Sequence, residues 1–472
     1  MMFSAPVSMR PVAAAITLLL LSGCATFSSD GGFGSVQSMT RERIGRDITW
    51  VKTDADAASV DKTIAPLLQR ALSVDDAVTI ALLNNKGLQA DYAELGISEA
   101  QLVQAGRISN PSFSFGRLTR GGEVEIDRRL MLPVMSLLMM PVSKRIAKRG
   151  FEQAQLRAAG DALRVADDTR RAYFSAIAAQ ESVLYMGQVK LAAEASAELA
   201  VKMVAAGNWS KLDLAREQAF YADVTVRLAQ AMQMHVSQRE ALTRLMGLSG
   251  ERTRFLLPNR LPDLPVAPRE PGDLEAAALQ NRLDVQMARR ELAGVAESLG
   301  LTKSTRFINV LDVSYLRNTF SESPSRERGF EIELQIPLFD WGGARVARAE
   351  AIYMQAANRT TQIAVNARSQ VREAYTAYRS AYDIAKHYRD EVVPIQKRIS
   401  EEQLLRYNGM LISVFELLAD ARSQVTSVNA SIEAQRDFWM AESALQMVQT
   451  GRATDGASMG RSNSPATEAA SH

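Results

Sequence analysis

The chain has 472 residues, and its 55 lysine and arginine residues against 53 aspartate and glutamate residues leave a formal net charge of +2. This length suits two or three ordinary domains or one large elongated domain. The balanced charge provides no global field for nucleic acid, so we do not expect a nucleic-acid partner. The abundance of alanine, glutamine, arginine, leucine and glutamate favours long helices.

The N-terminus has the features of a lipoprotein signal peptide. Arg10 supplies a positive charge, and residues 12–21 form an apolar run too short to span a bilayer as a mature helix. The run leads into the letters LSGC, which resemble a lipobox and end at Cys24, the only cysteine in the chain. We therefore predict acylation of Cys24, with palmitate among the acyl groups. Ala25 rather than aspartate follows the cysteine, and by resemblance to enterobacterial sorting rules this favours delivery to the outer membrane.

An internal repeat with an offset of about two hundred residues organises the rest of the chain. Residues 76–84 align with 273–281, residues 130–134 with 334–338, Ala172-Tyr173 with Ala374-Tyr375, and Gly207 with Gly409. Each copy contains a helix, two short alternating segments, a long helix, a glycine turn and another long helix. The predicted organisation is a signal peptide at 1–23, a lipid-anchored segment at 24–70, a first repeat at 71–250, a linker at 251–271, a second repeat at 272–450 and a disordered tail at 451–472.

Four segments alternate between apolar and polar residues, which predicts strands with two different faces. They lie at 112–116, 123–132, 311–315 and 330–338, and Arg128 interrupts the apolar face of the second. Their length suits a tilted membrane barrel, whereas a half-buried soluble sheet is the alternative. If the apolar residues face lipid, the carboxylates that alternate with them face the lumen of the barrel. There they would favour the passage of cations, or they would only keep the pore hydrated. These lumen-facing candidates are Glu123, Glu125, Asp127, Glu331 and Glu333.

Residues 143–206 and 341–408 each predict a helix roughly 95–100 Å long, which suits a coiled-coil wall better than a globular core. Each helix ends at a glycine turn, and Gly207 suits the left-handed position after a helix. Ser210 and Asp213 resemble a capping box, and residues 413–416 predict a full one. Two helical hairpins with tips at Gly207 and Gly409 follow.

Motifs for covalent chemistry are absent from the sequence. It contains no GxGxxG at a strand-to-helix junction, no P-loop and no HExxH, and His235, His387 and His472 lie far apart. The methionines between Met131 and Met140 could bind a soft metal, but packing or lipid contact is favoured. We expect no catalytic residue, no metal site and no cofactor. No later segment has 18 consecutive apolar residues, so a mature chain that spans a membrane would do so as a β-barrel.

Several segments resemble TolC-type outer-membrane factors, the outer-membrane efflux lipoproteins. Residues 337–351, with the letters PLFDWGG, resemble the segment in which the last strand enters the long helix, and residues 206–215 and 407–419 resemble the two hairpin tips. The resemblance covers roughly residues 70–450, although the first repeat lacks an equivalent of FDWGG. The resemblance implies that the two hairpin tips contact a periplasmic adaptor and an inner-membrane pump. The tip residues are Gly207, Asn208, Gly409 and Met410. The gate candidates are Phe415, Glu416 and Leu418, with an apolar constriction as plausible as an aspartate gate.

The sequence patterns predict a mostly α fold with long coiled-coil helices and four strands. The resemblance implies that these form a long α-helical coiled-coil barrel and a membrane β-barrel, with four strands per protomer of a homotrimeric, twelve-stranded barrel. The predicted function is an outer-membrane efflux channel, the passive exit duct of a tripartite pump for drugs or metal ions. Its predicted surroundings are outer-membrane lipid and the periplasm. The alternative is a non-conducting coiled-coil scaffold lipoprotein in the periplasm.

Overall fold

The computed structural model describes residues 26–307, 310–321 and 326–451, with the backbone alone at Val414, Phe415 and Leu418. The predicted acylation site, Cys24, lies outside the described residues. None of the described helices is both long enough and apolar enough to cross a membrane.

Within the described residues, four helices precede the sheet. The second and third begin with capping boxes, formed by Thr53 with Asp56 and by Ser73 with Asp76. In each box the hydroxyl oxygen accepts a hydrogen bond from the aspartate's backbone amide, and the aspartate carboxylate accepts one from the backbone amide of the hydroxyl residue. These bonds satisfy amide groups that the first turn of a helix would otherwise leave unpaired. The helices are α1 Phe33–Ile44, α2 Asp54–Leu67, α3 Val74–Asn84 and α4 Lys86–Ala105.

The four predicted strands are confirmed and form one antiparallel sheet in the order β1-β2-β3-β4. Gly121 and Gly122, both at positive φ, form the two-residue turn between the first two strands. The last strand lies earlier in the chain than expected, because it begins at Arg326 rather than Phe330 and ends at Leu334 rather than Leu338. The strands are β1 Ser112–Arg120, β2 Glu123–Pro133, β3 Leu311–Phe320 and β4 Arg326–Leu334.

Long helices form the rest of each repeat, as predicted, but the first begins at Val134 rather than at Ser143. In the first, α5 Val134–Ala205 begins directly after β2, includes Pro141, and is followed by α6 Lys211–Leu245. The second repeat begins with the short helix α7 Leu274–Asn281 and with α8 Leu283–Ser304. After β4 come α9 Gly343–His387, a π-helical segment Tyr388–Val392, α10 Val393–Asn408 and α11 Val414–Thr450.

The described residues divide into two compact units, each drawing on both repeats. One unit, residues 26–38, 90–158 and 284–364, contains the whole sheet. The other, residues 39–89, 159–283 and 365–451, contains both hairpin tips. The units cut across the sequence repeats because β2 of the first repeat pairs with β3 of the second. The repeat boundaries themselves stay a prediction.

The unit that contains the tips has an aromatic core around Phe438. The Phe438 side chain is fully buried, and its ring centroid lies 5.6 Å from that of Tyr378 and 5.1 Å from that of Trp439. The segment predicted as a linker packs into this core, since Leu264 is buried and the Tyr382 hydroxyl donates to the Pro265 carbonyl over 3.1 Å. The proline-rich chain is therefore held by side chains from the helices.

One tyrosine contact is repeated in both copies and supports the internal duplication. The Tyr173 hydroxyl donates to the carbonyl of Leu72 over 2.8 Å, and the Tyr375 hydroxyl donates to the carbonyl of Arg269 over 3.4 Å. Leu72 and Arg269 each precede an aligned helix-capping aspartate by four residues. The two contacts are thus the same connection formed twice.

Candidate functional site

The two faces of the sheet differ in charge. Directly paired residues on antiparallel strands share a face, and the register puts every carboxylate of the four strands on one face. Two arginines, Arg120 and Arg129, lie on that face as well. All five predicted lumen-facing residues lie on it, together with two further acidic residues. The complete set is Glu123, Glu125, Asp127, Asp312, Glu327, Glu331 and Glu333.

Polar contacts link two of these carboxylates to residues of other strands. The Asn318 side-chain amide donates to Glu125 Oε1 over 3.3 Å, and the Arg129 guanidinium lies 3.2 Å from the Glu331 carboxylate. Two arginines against seven carboxylates leave this face with an excess of negative charge. Such a face can attract and conduct cations if it lines a water-filled path.

The other face carries apolar side chains that are exposed in the single chain. Phe330 is 77% exposed, Phe113 65% and Ile332 57%. An apolar patch of this kind on a protein surface marks contact with lipid or with another protein. On the helical side of the sheet, the strand alternation therefore separates a polar face from one suited to an apolar environment.

The first hairpin tip closes with the hydrogen bonds of a glycine-terminated helix. Gly207, with a φ of 76°, lies just beyond the end of α5, and the Asn208 amide donates to the Met203 carbonyl over 2.9 Å. Ser210 then caps α6, because its hydroxyl oxygen accepts from the Asp213 amide over 3.1 Å. The predicted left-handed glycine therefore lies where the sequence indicated.

The second tip has the same bonds with a different residue in the left-handed position. Met410 has a φ of 60°, and the Leu411 amide donates to the Arg406 carbonyl over 2.9 Å. Gly409, in contrast, has an ordinary φ of −79°. The Met410 side chain is 93% exposed, so the turn presents an apolar side chain to the surroundings.

The alignment of Gly207 with Gly409 is therefore wrong by one residue, since the turn bonds put Gly207 opposite Met410. The second repeat therefore has one residue more than the first before this turn. The π-helical segment Tyr388–Val392 explains it, because a π-helical turn usually marks the insertion of one residue into an α-helix. Pro394 lies two residues after this segment and has no amide hydrogen for the helical ladder. The wider π-helical turn tolerates the loss of the backbone hydrogen bond that Pro394 cannot donate.

The gate candidates lie at the start of α11. Glu416 donates its backbone amide to the Ser413 hydroxyl oxygen over 3.3 Å, which caps the helix. Only this serine half of the predicted full capping box is formed. Phe415 and Leu418 belong to the first turns of the same helix, and their side chains lie outside the described residues.

The weaker sequence candidates are separated in the structure. Met131 lies on β2, whereas Met135, Met139 and Met140 lie in the first turns of α5. Among the described residues, no cluster of three or more histidine, cysteine, aspartate or glutamate side chains is arranged to hold a metal ion. Burial, with Arg239 nearby, lowers the pKa of His235.

Comparison with known proteins agrees with this architecture. No family model matches the chain. The cobalt-zinc-cadmium resistance protein CzcC of Cupriavidus metallidurans is 27% identical over 271 residues, which cover 57% of this chain and 64% of that protein. The match thus spans less than two thirds of that curated relative.

Solved structures show the same fold. The outer-membrane channel CmeC of Campylobacter jejuni matches with a TM-score of 0.67 at 15% identity, over 91% of this chain and 94% of that one. The open state of the MtrE outer-membrane channel of Neisseria gonorrhoeae matches with a TM-score of 0.67 at 17% identity, over 80% of this chain and 89% of that one. The chain has the outer-membrane factor fold, and both the expected resemblance and the mostly helical, four-stranded fold class are confirmed.

Proposed function

We propose that this chain is an outer-membrane efflux channel, the passive exit duct of a tripartite export pump. The observation that carries the proposal is the sheet with one acidic and one apolar face, connected without a loop to a long helical hairpin. The same fold occurs in solved outer-membrane channels. The duct performs no covalent chemistry, and its energy comes from the inner-membrane pump.

The sheet edges support assembly into a homotrimer. In the described chain β1 and β4 each have a single neighbouring strand, which leaves backbone groups on their outer edges available for pairing. Pairing β4 of one copy with β1 of the next, three times in succession, produces a closed wall of twelve strands. The apolar face then contacts lipid and the acidic face lines the lumen.

The hairpin tips are the proposed contact with the periplasmic adaptor. Gly207 and Asn208 form one tip and Gly409 and Met410 the other, and both turns are exposed. The high exposure of Met410, together with Leu411 at 77%, provides apolar surface for such a partner. The first turns of α11, with Phe415, Glu416 and Leu418, are the proposed gate, and Cys24 is the proposed site of the lipid anchor.

Positively charged cargo, metal cations included, fits the acidic face best. The similar protein from Cupriavidus metallidurans is named for resistance to cobalt, zinc and cadmium. Replacing two of the carboxylates, Glu331→Gln with Glu333→Gln, lowers cation-over-anion selectivity if this face lines the lumen. The matched control, Ser112→Ala, changes the same face without changing its charge. Unchanged reversal potentials in both would contradict the cation hypothesis.

Single-channel conductance in planar bilayers, with the oligomer mass measured in parallel, tests the duct itself. We expect a trimer that inserts and conducts, at least in small steps. A monomer or dimer that never inserts would contradict the proposal and favour the scaffold lipoprotein instead.

A further inference from the structure

Three arginines form a continuous row across the apolar face of the sheet. Arg128 on β2 pairs directly with Arg317 on β3, and Arg317 pairs directly with Arg328 on β4. Side chains at directly paired positions have Cβ atoms about 4.5–5.5 Å apart, and like charges placed so close are destabilising. Arginine cannot release its proton at ordinary pH, so this repulsion is permanent unless an anion lies nearby.

The strands provide no such anion on this face. Every acidic residue of the four strands lies on the opposite face. Within the described part of the chain, the arginines of the row form no ion pair, and Arg128 donates only to the Thr319 hydroxyl oxygen over 3.2 Å. The buried Nε of Arg317 has no hydrogen-bond partner among those residues. Among the described residues, the row therefore has unused donors and uncompensated charge.

The neighbouring rows show at which level of a membrane the arginines lie. On the helical side, the adjacent row of this face contains the aromatic residues Phe113, Tyr315 and Phe330, and aliphatic residues follow. On the turn side, the next row contains Arg117 and Arg326. Aromatic side chains border the hydrocarbon region of membrane-spanning sheets. A lipid-facing arginine destabilises such a sheet by about 2–4 kcal/mol at the bilayer midplane and by much less at the interface. The row thus lies at the boundary between apolar and polar surface.

We propose that Arg128, Arg317 and Arg328 bind the phosphate groups of a membrane lipid headgroup. The inference rests on the proposed function, because it requires this face of the sheet to contact lipid. A guanidinium group binds phosphate through two parallel hydrogen bonds. Strands lie about 4.8 Å apart, so the row spans roughly 10 Å, enough for two phosphates on one headgroup. The aromatic row contacts the acyl chains of the same lipid.

The test uses the full-length protein in a non-ionic detergent, titrated with diphosphoryl lipid A while binding is followed by native mass spectrometry. The triple variant Arg128→Gln, Arg317→Gln, Arg328→Gln is compared with the control Arg120→Gln, Arg129→Gln, which removes arginines from the acidic face. We expect the triple variant to weaken lipid binding by about tenfold or more, as for several lost charge-assisted bonds, and the control to leave it unchanged. The single variant Arg317→Gln gives a smaller loss of the same sign, and it replaces the triple variant if that protein does not fold.

Two further probes identify the ligand. Lipid A without its phosphates should bind about tenfold more weakly or worse, and millimolar inorganic phosphate should not displace the phosphorylated lipid. Equal binding of the phosphate-free lipid, or equal loss in the acidic-face control, would overturn the inference. Displacement by inorganic phosphate would overturn it in favour of a free-phosphate site.

Conductance of the same preparations separates this inference from the proposed function. A wild-type protein that conducts but whose lipid binding does not depend on the row overturns the lipid site alone. A wild-type protein that binds the lipid through the row but is not a channel overturns the duct alone.

Discussion

The two helical hairpins end in turns with the same hydrogen bonds but with different residues in the left-handed position. The first repeat has Gly207 there, and the second has Met410, one residue later than the glycine. The second repeat also contains a π-helical segment where α5 of the first is continuous. The two repeats have therefore kept the same turn geometry although the position of the glycine differs by one residue. In the second hairpin the turn is strained, because its left-handed residue has a side chain.

The largest effect is expected from adding a side chain to the left-handed glycine of the first tip. Gly207→Ala should weaken local stability by about 1–2 kcal/mol, because a left-handed conformation disfavours any Cβ atom. Gly409→Ala is the matched control and should change stability by less than about 0.5 kcal/mol, since Gly409 has an ordinary backbone conformation. Amide hydrogen exchange at the two tips measures both. Equal effects would show that the tips are not closed in the way described.

The repeated tyrosine contact should contribute unequally in the two copies. Tyr173→Phe removes a buried hydrogen bond of 2.8 Å and should cost about 1 kcal/mol of stability, whereas Tyr375→Phe removes a longer, exposed bond and should cost less than about 0.5 kcal/mol. Thermal unfolding of the two purified variants in detergent compares them. A larger loss in the second variant would contradict this ranking.

A carboxylate in the second helix of each hairpin allows a pH test. Glu217 and Asp420 each follow the capping serine of their helix by seven residues, but Glu217 is buried and Asp420 only half-buried. Burial raises the pKa of Glu217, while Ser196 and Arg422 lower it to a smaller extent. A folded-state pKa above the unfolded value makes the protein lose stability as pH rises through that range.

Glu217→Gln should therefore stabilise the protein near neutral pH, by about 1 kcal/mol, and should have little effect near the ordinary carboxyl range of about pH 4. Asp420→Asn is the control, with a smaller change expected at both pH values. Thermal unfolding at the two pH values measures the difference. A stabilisation by Glu217→Gln that is larger at the acidic pH would contradict the assigned sign.

The smallest effect should come from relieving the strain in the second tip. Met410→Gly removes the side chain from a left-handed position, and after the entropic cost of glycine the net gain is about 0.5 kcal/mol. Hydrogen exchange at the tip provides the measurement. A loss of protection there would mean that the Met410 side chain stabilises the turn through contacts, and that the turn is not strained.

Much of the fold could be predicted from local patterns. The strand alternation located β1 and β3 within a few residues, and Gly207 together with Ser210 predicted the first turn. The second turn lies one residue later than predicted, because Met410 and not Gly409 occupies the left-handed position. The added residue lies in a π segment, and no residue type reliably marks such a segment in the sequence.

The arginine row could not be predicted in the same way. Arg128 appeared in the sequence only as an interruption of an apolar strand face. Its position beside Arg317, a residue from a distant part of the chain, follows from the register between β2 and β3. The alternation within each strand predicts which residues share a face, but not which residue of β3 lies opposite Arg128 on β2. The burial of Leu264 likewise depends on packing against residues distant in the chain, Tyr382 and Phe438, which local patterns do not predict.

The assignment of the two sheet faces is the central claim, and single-channel current measured with a water-soluble thiol reagent tests it most directly. Glu331→Cys places a thiol on the acidic face and Phe330→Cys places one on the apolar face, and Cys24 is the only native cysteine. We expect the reagent to reduce the current through the Glu331→Cys channel and to leave the current through the Phe330→Cys channel unchanged. A block of the Phe330→Cys channel, with the Glu331→Cys channel unaffected, would contradict it.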